Sequence, residues 1–199
     1  RAEPRPAELE GVEISPVPGT QVPLDRPFVD ETGKAVRLGD YFGADRPVLL
    51  NLGYYSCPML CGLMLNGVAD GFEDLEWTAG TEFEVVTISI NPLETPALSR
   101  EKKQNYLKRL GRPEAARGWH FLTGLEPQID RVAEAVGFSY AYDPQSGEYA
   151  HAAAIMIATL YIKRPCHNVC GETGHESVDG VRFFNFCQMS CTAAEKIVG

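Results

Sequence analysis

The chain has 199 residues, of which 44% are hydrophobic, and it carries 27 acidic against 18 basic residues. This length and composition favour one sizeable core with tails, and the formal net charge of −9 argues against nucleic acid or an anionic lipid surface as the main partner. No apolar run approaches the roughly 20 residues that a membrane span needs; the longest, 152–162, is short enough to be a core strand. Six cysteines in a chain of this size favour an oxidising compartment.

The first half of the chain predicts an arm, a hairpin and the start of an α/β domain. Residues 1–21 are rich in Pro, Glu and Arg without an apolar period, which is typical of an extended arm. A β-hairpin is predicted over 28–38. The apolar run at 47–53 predicts a buried strand, and the helical spacing of the apolar residues after it predicts a helix from Pro58 to about residue 75. Residues 82–90 predict a second central strand.

The second half continues this alternation. A surface helix is predicted over 96–110, a brief strand at 121–122 and another helix over 126–136. We expect 138–142 and 154–161 to form an antiparallel pair, with a turn at 143–147 after the first strand. The order of elements matches a thioredoxin-like α/β sandwich, with a central mixed β-sheet flanked by helices and an N-terminal β-hairpin.

Cys57 and Cys61 stand four positions apart where the first predicted helix begins. That spacing puts both side chains on one helix face, roughly 5–6 Å apart at Cβ. At a helix N-terminus the backbone N–H groups and the macrodipole favour thiolate over thiol. Such a pair suits disulfide exchange or a soft metal ion such as Cu(I), whereas the plain alternative is two core cysteines on a buried helix face.

Four ordered motifs resemble those of the Sco/SenC family, thioredoxin-fold copper proteins that help to assemble the CuA centre of cytochrome c oxidase. The motifs are YYSCPMLC at 54–61, VVTISINPLETP at 85–96, GWHFLTG at 118–124 and YAHAAAIM at 149–156. The resemblance runs from about residue 22 to about residue 160. Two positions depart from the family pattern, because Asn91 and Glu94 stand where the family usually or often has Asp.

The resemblance implies one copper ion, as Cu(I) or Cu(II), held by Cys57, Cys61 and His151. Thiolates suit Cu(I), and an added imidazole lets the same pocket accept Cu(II). Without the resemblance, His151 would be interpreted as a loop histidine in front of an apolar strand. His120 is interpreted as structural.

The implied function is that of a metallochaperone that delivers copper to the CuA site of cytochrome c oxidase, or reduces the cysteines of that site. The implied partners are the oxidase subunit that carries CuA, other copper chaperones and thioredoxin-like reductases. The implied location is periplasmic or otherwise extracytoplasmic, with a membrane anchor in a segment before Arg1.

The main alternative is a thiol–disulfide oxidoreductase of the thioredoxin type without a copper role, an enzyme whose catalytic redox pair would be Cys57 and Cys61. Against it, the spacing is C-x-x-x-C rather than C-x-x-C, and no proline lies next to His151. A peroxiredoxin would need a Thr and an Arg near its reactive cysteine, and the segment around Cys57 has neither. A structural or interaction module that uses the remaining cysteines is a further alternative.

The chain is therefore divided into an arm over 1–21, a copper-binding domain over 22–162 and a cysteine-rich tail over 163–199. The tail contains two further C-x-x-x-C pairs, with His167 and His175 beside or between them: Cys166 with Cys170, and Cys187 with Cys191. A second metal site of the zinc type, local disulfides and an irregular tail without a specific role all stay open.

Overall fold

The computed structural model of the protein describes residues 12, 14–15, 20–43, 46–57, 60–73, 75–160 and 181–184. The helices and strands, in chain order, are β1 (Pro27–Val29), β2 (Ala35–Arg37), β3 (Val48–Gly53), α1 (Leu60–Glu73), β4 (Glu84–Ser89), α2 (Pro96–Leu110), β5 (Trp119–Leu122), α3 (Glu126–Val136), β6 (Tyr140–Asp143), β7 (Glu148–His151), β8 (Ile155–Leu160) and β9 (Val181–Phe184). Short 3₁₀ helices cover Leu38–Tyr41 and Pro113–Arg117.

A five-stranded mixed sheet in the order β5-β4-β3-β8-β9 forms the centre of the domain. Strands β3, β4 and β5 are parallel, because α1 and α2 carry the chain back between them, whereas β8 runs antiparallel to both β3 and β9. All six residues of β3 and of β4 are buried, as expected for strands that are covered on both faces. The predicted thioredoxin-like sandwich is confirmed.

Each face of the sheet has its own hydrophobic core. Leu50 and Leu52 of β3 pack with Ile129 and Val132 of α3 and with the β1–β2 hairpin. On the opposite face, Leu49 belongs to a second core that includes residues of α1 and α2. The alternation of side chains along β3 therefore places helices on both sides of one sheet.

The predicted helices agree closely with those observed. Helix α2 begins after Thr95, whose hydroxyl accepts a hydrogen bond from the Leu98 amide at 3.4 Å, and ends at Gly111, which has a φ of 66°. Helix α3 covers the predicted range. Among the described residues α1 begins at Leu60 and ends at Glu73, and the predicted start at Pro58 lies outside them.

The predicted antiparallel pair is wrong in its partners. Strand β6 pairs with β7, and β8 instead lies in the central sheet between β3 and β9. The reason is the turn after β6, where the Asp143 carboxylate accepts the backbone N–H groups of Gln145 and Ser146 and Gly147 has a φ of 75°. This compact turn returns the chain at once, so that His151 ends a strand of its own.

Parts of the predicted arm and tail contact the domain. Ile14 forms an isolated bridge with Phe138, and the Ser15 amide donates to the Gly137 carbonyl at 2.8 Å. In the tail, β9 extends the central sheet. The four tail cysteines lie outside the described residues. Within the described part of the chain, no helix is long and apolar enough to cross a membrane.

Candidate metal centre

The Cys57 loop, residues 54–57, leaves the carboxyl end of β3 and leads towards α1. Its backbone turns back on itself, because the Cys57 amide donates to the Tyr54 carbonyl at 3.3 Å. Tyr55 anchors the loop in the core, since its buried hydroxyl hydrogen-bonds to the carbonyl oxygens of Thr87 at 3.0 Å and Leu122 at 2.7 Å. Cys57 itself is half-buried and packs against the core on the α3 side of the sheet.

Glu94 reaches the same loop from beyond the end of β4. Its carboxylate accepts the backbone N–H groups of Tyr55 at 2.8 Å and Ser56 at 2.7 Å. It also accepts the hydroxyl groups of Ser56 at 2.7 Å and Ser89 at 2.6 Å. The loop that contains Cys57 is thus tied to the carboxyl end of the neighbouring strand.

His151 ends β7 with only 4% of its surface exposed. Its Nδ1 lies 2.8 Å from the Ala152 carbonyl oxygen, and a carbonyl only accepts, so Nδ1 carries the proton in the neutral ring. Burial lowers the pKa of His151 below its usual 6.5, although the bond to Ala152 opposes this shift. The ring is therefore neutral near pH 7, with its lone pair on Nε2.

Tyr54 connects the cysteine with the histidine. Its side chain hydrogen-bonds to Cys57, and its ring lies edge-on to the His151 ring with 5.7 Å between the centroids. Burial raises the pKa of Tyr54, and the hydrogen bond with Cys57 raises it further, so the phenol stays protonated. Since both residues contact one side chain, Cys57 and His151 lie at the same end of the sheet. This end is beyond the carboxyl ends of parallel strands, where ligands bind in open α/β sheets.

Comparison with known sequences identifies the family. Residues 20–160 match the sequence model of the SCO1/SenC family. The chain belongs to this family. No curated protein sequence matches it.

Solved structures of SCO1/SenC type and others share the fold at low identity. A protein from Aquifex aeolicus VF5 is 21% identical, with 70% of this chain and 76% of that chain covered and a TM-score of 0.60. A SCO1/SenC family lipoprotein from Bacillus anthracis is 16% identical, with coverage of 70% and 79% and a TM-score of 0.53. The copper-bound ScoI of Bradyrhizobium japonicum is 23% identical, with coverage of 72% and 80% and a TM-score of 0.50.

The structure of this SCO1/SenC chain places two of the three predicted metal ligands, Cys57 and His151, in contact with the same side chain, that of Tyr54. The backbone of Cys61 lies in the first turn of α1, and its side chain is outside the described part of the structure. Among the described residues, no three His, Cys, Asp or Glu side chains gather as a metal-binding group. The completion of the site by Cys61 is therefore a prediction that the sequence spacing supports.

Two further residues of the family motifs, Asn91 and His120, lie in different places. Asn91 shapes the turn after β4, where its Oδ1 accepts the Leu93 amide at 3.0 Å. His120 lies towards the other end of the sheet, with its Nε2 3.1 Å from a Glu84 carboxylate oxygen. The interpretation of His120 as structural agrees with this contact.

Two aromatic residues around His151 escaped the sequence analysis. The Tyr149 ring packs against Tyr54 with 5.6 Å between centroids, and the Phe138 ring lies 6.1 Å from His151. Their contacts depend on the β6–β7 hairpin, whose strand pairing differs from the predicted one. The Asp-Pro-Gln-Ser-Gly run at 143–147 indicates the turn itself, but not that the strand paired with β6 follows it at once.

Proposed function

We propose that this SCO1/SenC protein binds one copper ion through Cys57, Cys61 and His151 and delivers it to the CuA site of cytochrome c oxidase. The observation that carries the proposal is the contact of Tyr54 with both Cys57 and His151. Through Tyr54, a thiol and a buried imidazole from segments far apart in sequence lie beyond the carboxyl ends of parallel strands, where open α/β sheets bind ligands.

The chemistry of these groups suits copper in both oxidation states. Two thiolates form a soft donor set that favours Cu(I), and the imidazole adds the nitrogen that Cu(II) requires. The lowered pKa of His151 supports metal binding, because a ligating imidazole must be unprotonated. The hydrogen bond from Nδ1 to Ala152 fixes the ring and directs Nε2 as the ligand atom.

Two relatives support the wider proposal. Bradyrhizobium japonicum ScoI has been solved with copper bound, and the Bacillus anthracis relative is a lipoprotein. We propose that this chain likewise functions outside the cytoplasm, attached to a membrane. Its partners would be the oxidase subunit that carries CuA, together with copper chaperones or thioredoxin-like reductases that load or reduce it.

The same cysteine pair supports a second form of the function, the reduction of CuA cysteines before they receive metal. In that step the Cys57 and Cys61 thiols lose two electrons and two protons and form a disulfide, while a disulfide of the target becomes two thiols. The half-buried position of Cys57 in a loop at the sheet end favours access by such a partner.

Anaerobic titration of the reduced full chain with Cu(I), against a competing chelator, tests the proposal. We expect one tightly bound equivalent, and its loss in Cys57→Ser and in Cys61→Ser, because a hydroxyl is a poor ligand for Cu(I). The matched control replaces the four tail cysteines by serine and should keep this equivalent. Full tight binding in both single variants, together with its loss in the tail variant, would place the copper site in the tail.

A further inference from the structure

We infer that Glu94 is a positioning residue for Cys57, and that it acts through two backbone amides of the Cys57 loop. Both carboxylate oxygens are needed as acceptors. The inference rests on the proposed function for its copper readout, but it also predicts a redox property of the cysteine pair that needs no copper.

The hydrogen bonds around Glu94 fall into two similar pairs. Oε2 accepts the Tyr55 amide at 2.8 Å and the Ser89 hydroxyl at 2.6 Å. Oε1 accepts the Ser56 amide at 2.7 Å and the Ser56 hydroxyl at 2.7 Å. Each oxygen thus faces one backbone N–H, which can only donate, and one hydroxyl, which can rotate to donate or accept.

Glu94 is engaged with these donors and not with a cation. In the parts of the chain that the structure describes, it takes part in none of the ion pairs. Hydrogen bonds from backbone amides to a carboxylate are charge-assisted and hold their geometry tightly. The Glu94 carboxylate is therefore positioned to accept the backbone amides of Tyr55 and Ser56 specifically.

Glu94 is itself held by regular structure on both sides. It follows β4, whose last residue is Ser89, and precedes Thr95, the N-cap of α2. The amides that it binds belong to the two residues directly before Cys57, while the Tyr55 hydroxyl fixes the loop deeper in the core. Glu94 thus connects the backbone next to Cys57 to a segment that β4 and α2 hold in place.

This geometry requires a side chain at position 94 with two oxygen atoms that both accept hydrogen bonds. A glutamine has the same shape, but its NH₂ group would face either the Tyr55 or the Ser56 N–H, so that two donors meet. Neither amide can rotate away, because both belong to the main chain. The isosteric Glu94→Gln change should therefore be nearly as harmful as Glu94→Ala, while Glu94→Asp keeps two acceptors and should be intermediate.

The test compares Glu94→Gln, Glu94→Ala, Glu94→Asp and the double variant Ser56→Ala/Ser89→Ala with the wild-type full chain. Outer partners of metal ligands are typically worth about 10–100-fold in metal affinity, so we expect Glu94→Gln and Glu94→Ala to lower Cu(I) affinity at least tenfold. The thiolate-to-Cu(II) charge-transfer band should shift in the same variants. The double serine variant, which keeps both backbone bonds, should change affinity less than about threefold.

The second readout is the disulfide equilibrium of Cys57 and Cys61 in glutathione buffers. Tryptic peptide 38–100 contains these two cysteines and none of the other four, so mass spectrometry reports on this pair alone. A loosened loop presents the two thiols to each other less well. We expect Glu94→Gln to weaken disulfide formation about tenfold, which corresponds to a potential higher by about 30 mV.

Glu82→Gln is the matched control, since the Glu82 carboxylate accepts the Thr78 amide at 2.7 Å just before β4, at the opposite end of that strand. It should change neither copper affinity nor the potential. The inference is overturned if Glu94→Gln keeps the wild-type disulfide equilibrium, or if the double serine variant matches its effect. If wild type binds no copper but Glu94→Gln still shifts the potential, the copper function fails and the positioning role stands.

Discussion

Each end of the central sheet has a glutamate, a histidine and aromatic residues nearby, but these groups bind different partners at the two ends. At the amino ends of the strands, the Arg46 cluster joins Arg46, Glu84, His120 and Tyr41. Glu84 accepts from Arg46 at 2.6 Å and lies 3.1 Å from His120, whose ring packs on Tyr41 with 4.2 Å between centroids. At the carboxyl ends, His151 packs among aromatic rings, and Glu94 binds backbone amides.

The difference lies in what each group is bound to. In the Arg46 cluster the carboxylate is neutralised by a guanidinium, and the histidine is engaged by that carboxylate, so the charges are used within the fold. At the other end the carboxylate organises a loop, and the histidine bonds to a backbone carbonyl through Nδ1. Residue type alone therefore does not distinguish a structural histidine from a candidate ligand; its partners do.

The largest effect that separates the two ends is expected for His151→Ala. Loss of the only nitrogen in the proposed ligand set should weaken Cu(II) binding about 100-fold or more, while much of the Cu(I) affinity remains with the thiolates. The thiolate-to-Cu(II) absorption should fade or shift. His120→Ala is the control and should leave both affinities unchanged; equal loss of Cu(II) binding in the two variants would contradict the comparison.

The converse change is Glu84→Gln in the Arg46 cluster. It removes the charge that pairs with Arg46, and since the Arg46 side chain is 29% exposed and the Glu84 side chain 10%, we expect a loss of about 2 kcal/mol in the free energy of unfolding. Urea unfolding measures this loss. Copper stoichiometry should remain that of wild type, and a variant that folds but no longer binds copper would show that the two ends are not independent.

A smaller effect concerns pH and stability. Because the pKa of His151 is lowered in the folded state, the unfolded chain takes up this proton first as the pH falls below about 6.5. Acidification below about pH 6.5 therefore destabilises the fold through His151, whereas above that pH the contribution of His151 to stability does not change. Urea unfolding of metal-free protein between pH 7.5 and 5.5 should give a flatter profile for His151→Ala than for wild type; parallel profiles would contradict the shift.

Much of the fold was predictable because its signals are local. The apolar stripe of α3 and the Thr95 cap of α2 specify those helices within a few residues, and the buried run of β3 specifies a central strand. The partner of β6 was not predictable in this way. Only 154–161 was predicted as its partner, whereas β6 pairs with the short β7 directly after the turn, and β8 lies between β3 and β9 in the central sheet.

The site shows the same limit. The motif spacing identified Cys57 and Cys61, and the family resemblance identified His151. The sequence could not show that Glu94 binds the Tyr55 and Ser56 amides, 39 and 38 positions away, because such contacts depend on how β3 and β4 align. Nor could it show that Tyr54 lies between Cys57 and His151.

X-ray absorption spectroscopy at the copper edge tests the central claim most directly. The full chain, reduced and loaded with one equivalent of Cu(I), should show two sulfur ligands and one nitrogen ligand, and the nitrogen should disappear in His151→Ala and persist in His120→Ala. A copper surrounded by sulfur alone, with the same spectrum in wild type and His151→Ala, would contradict the assignment of Cys57, Cys61 and His151 as its ligands.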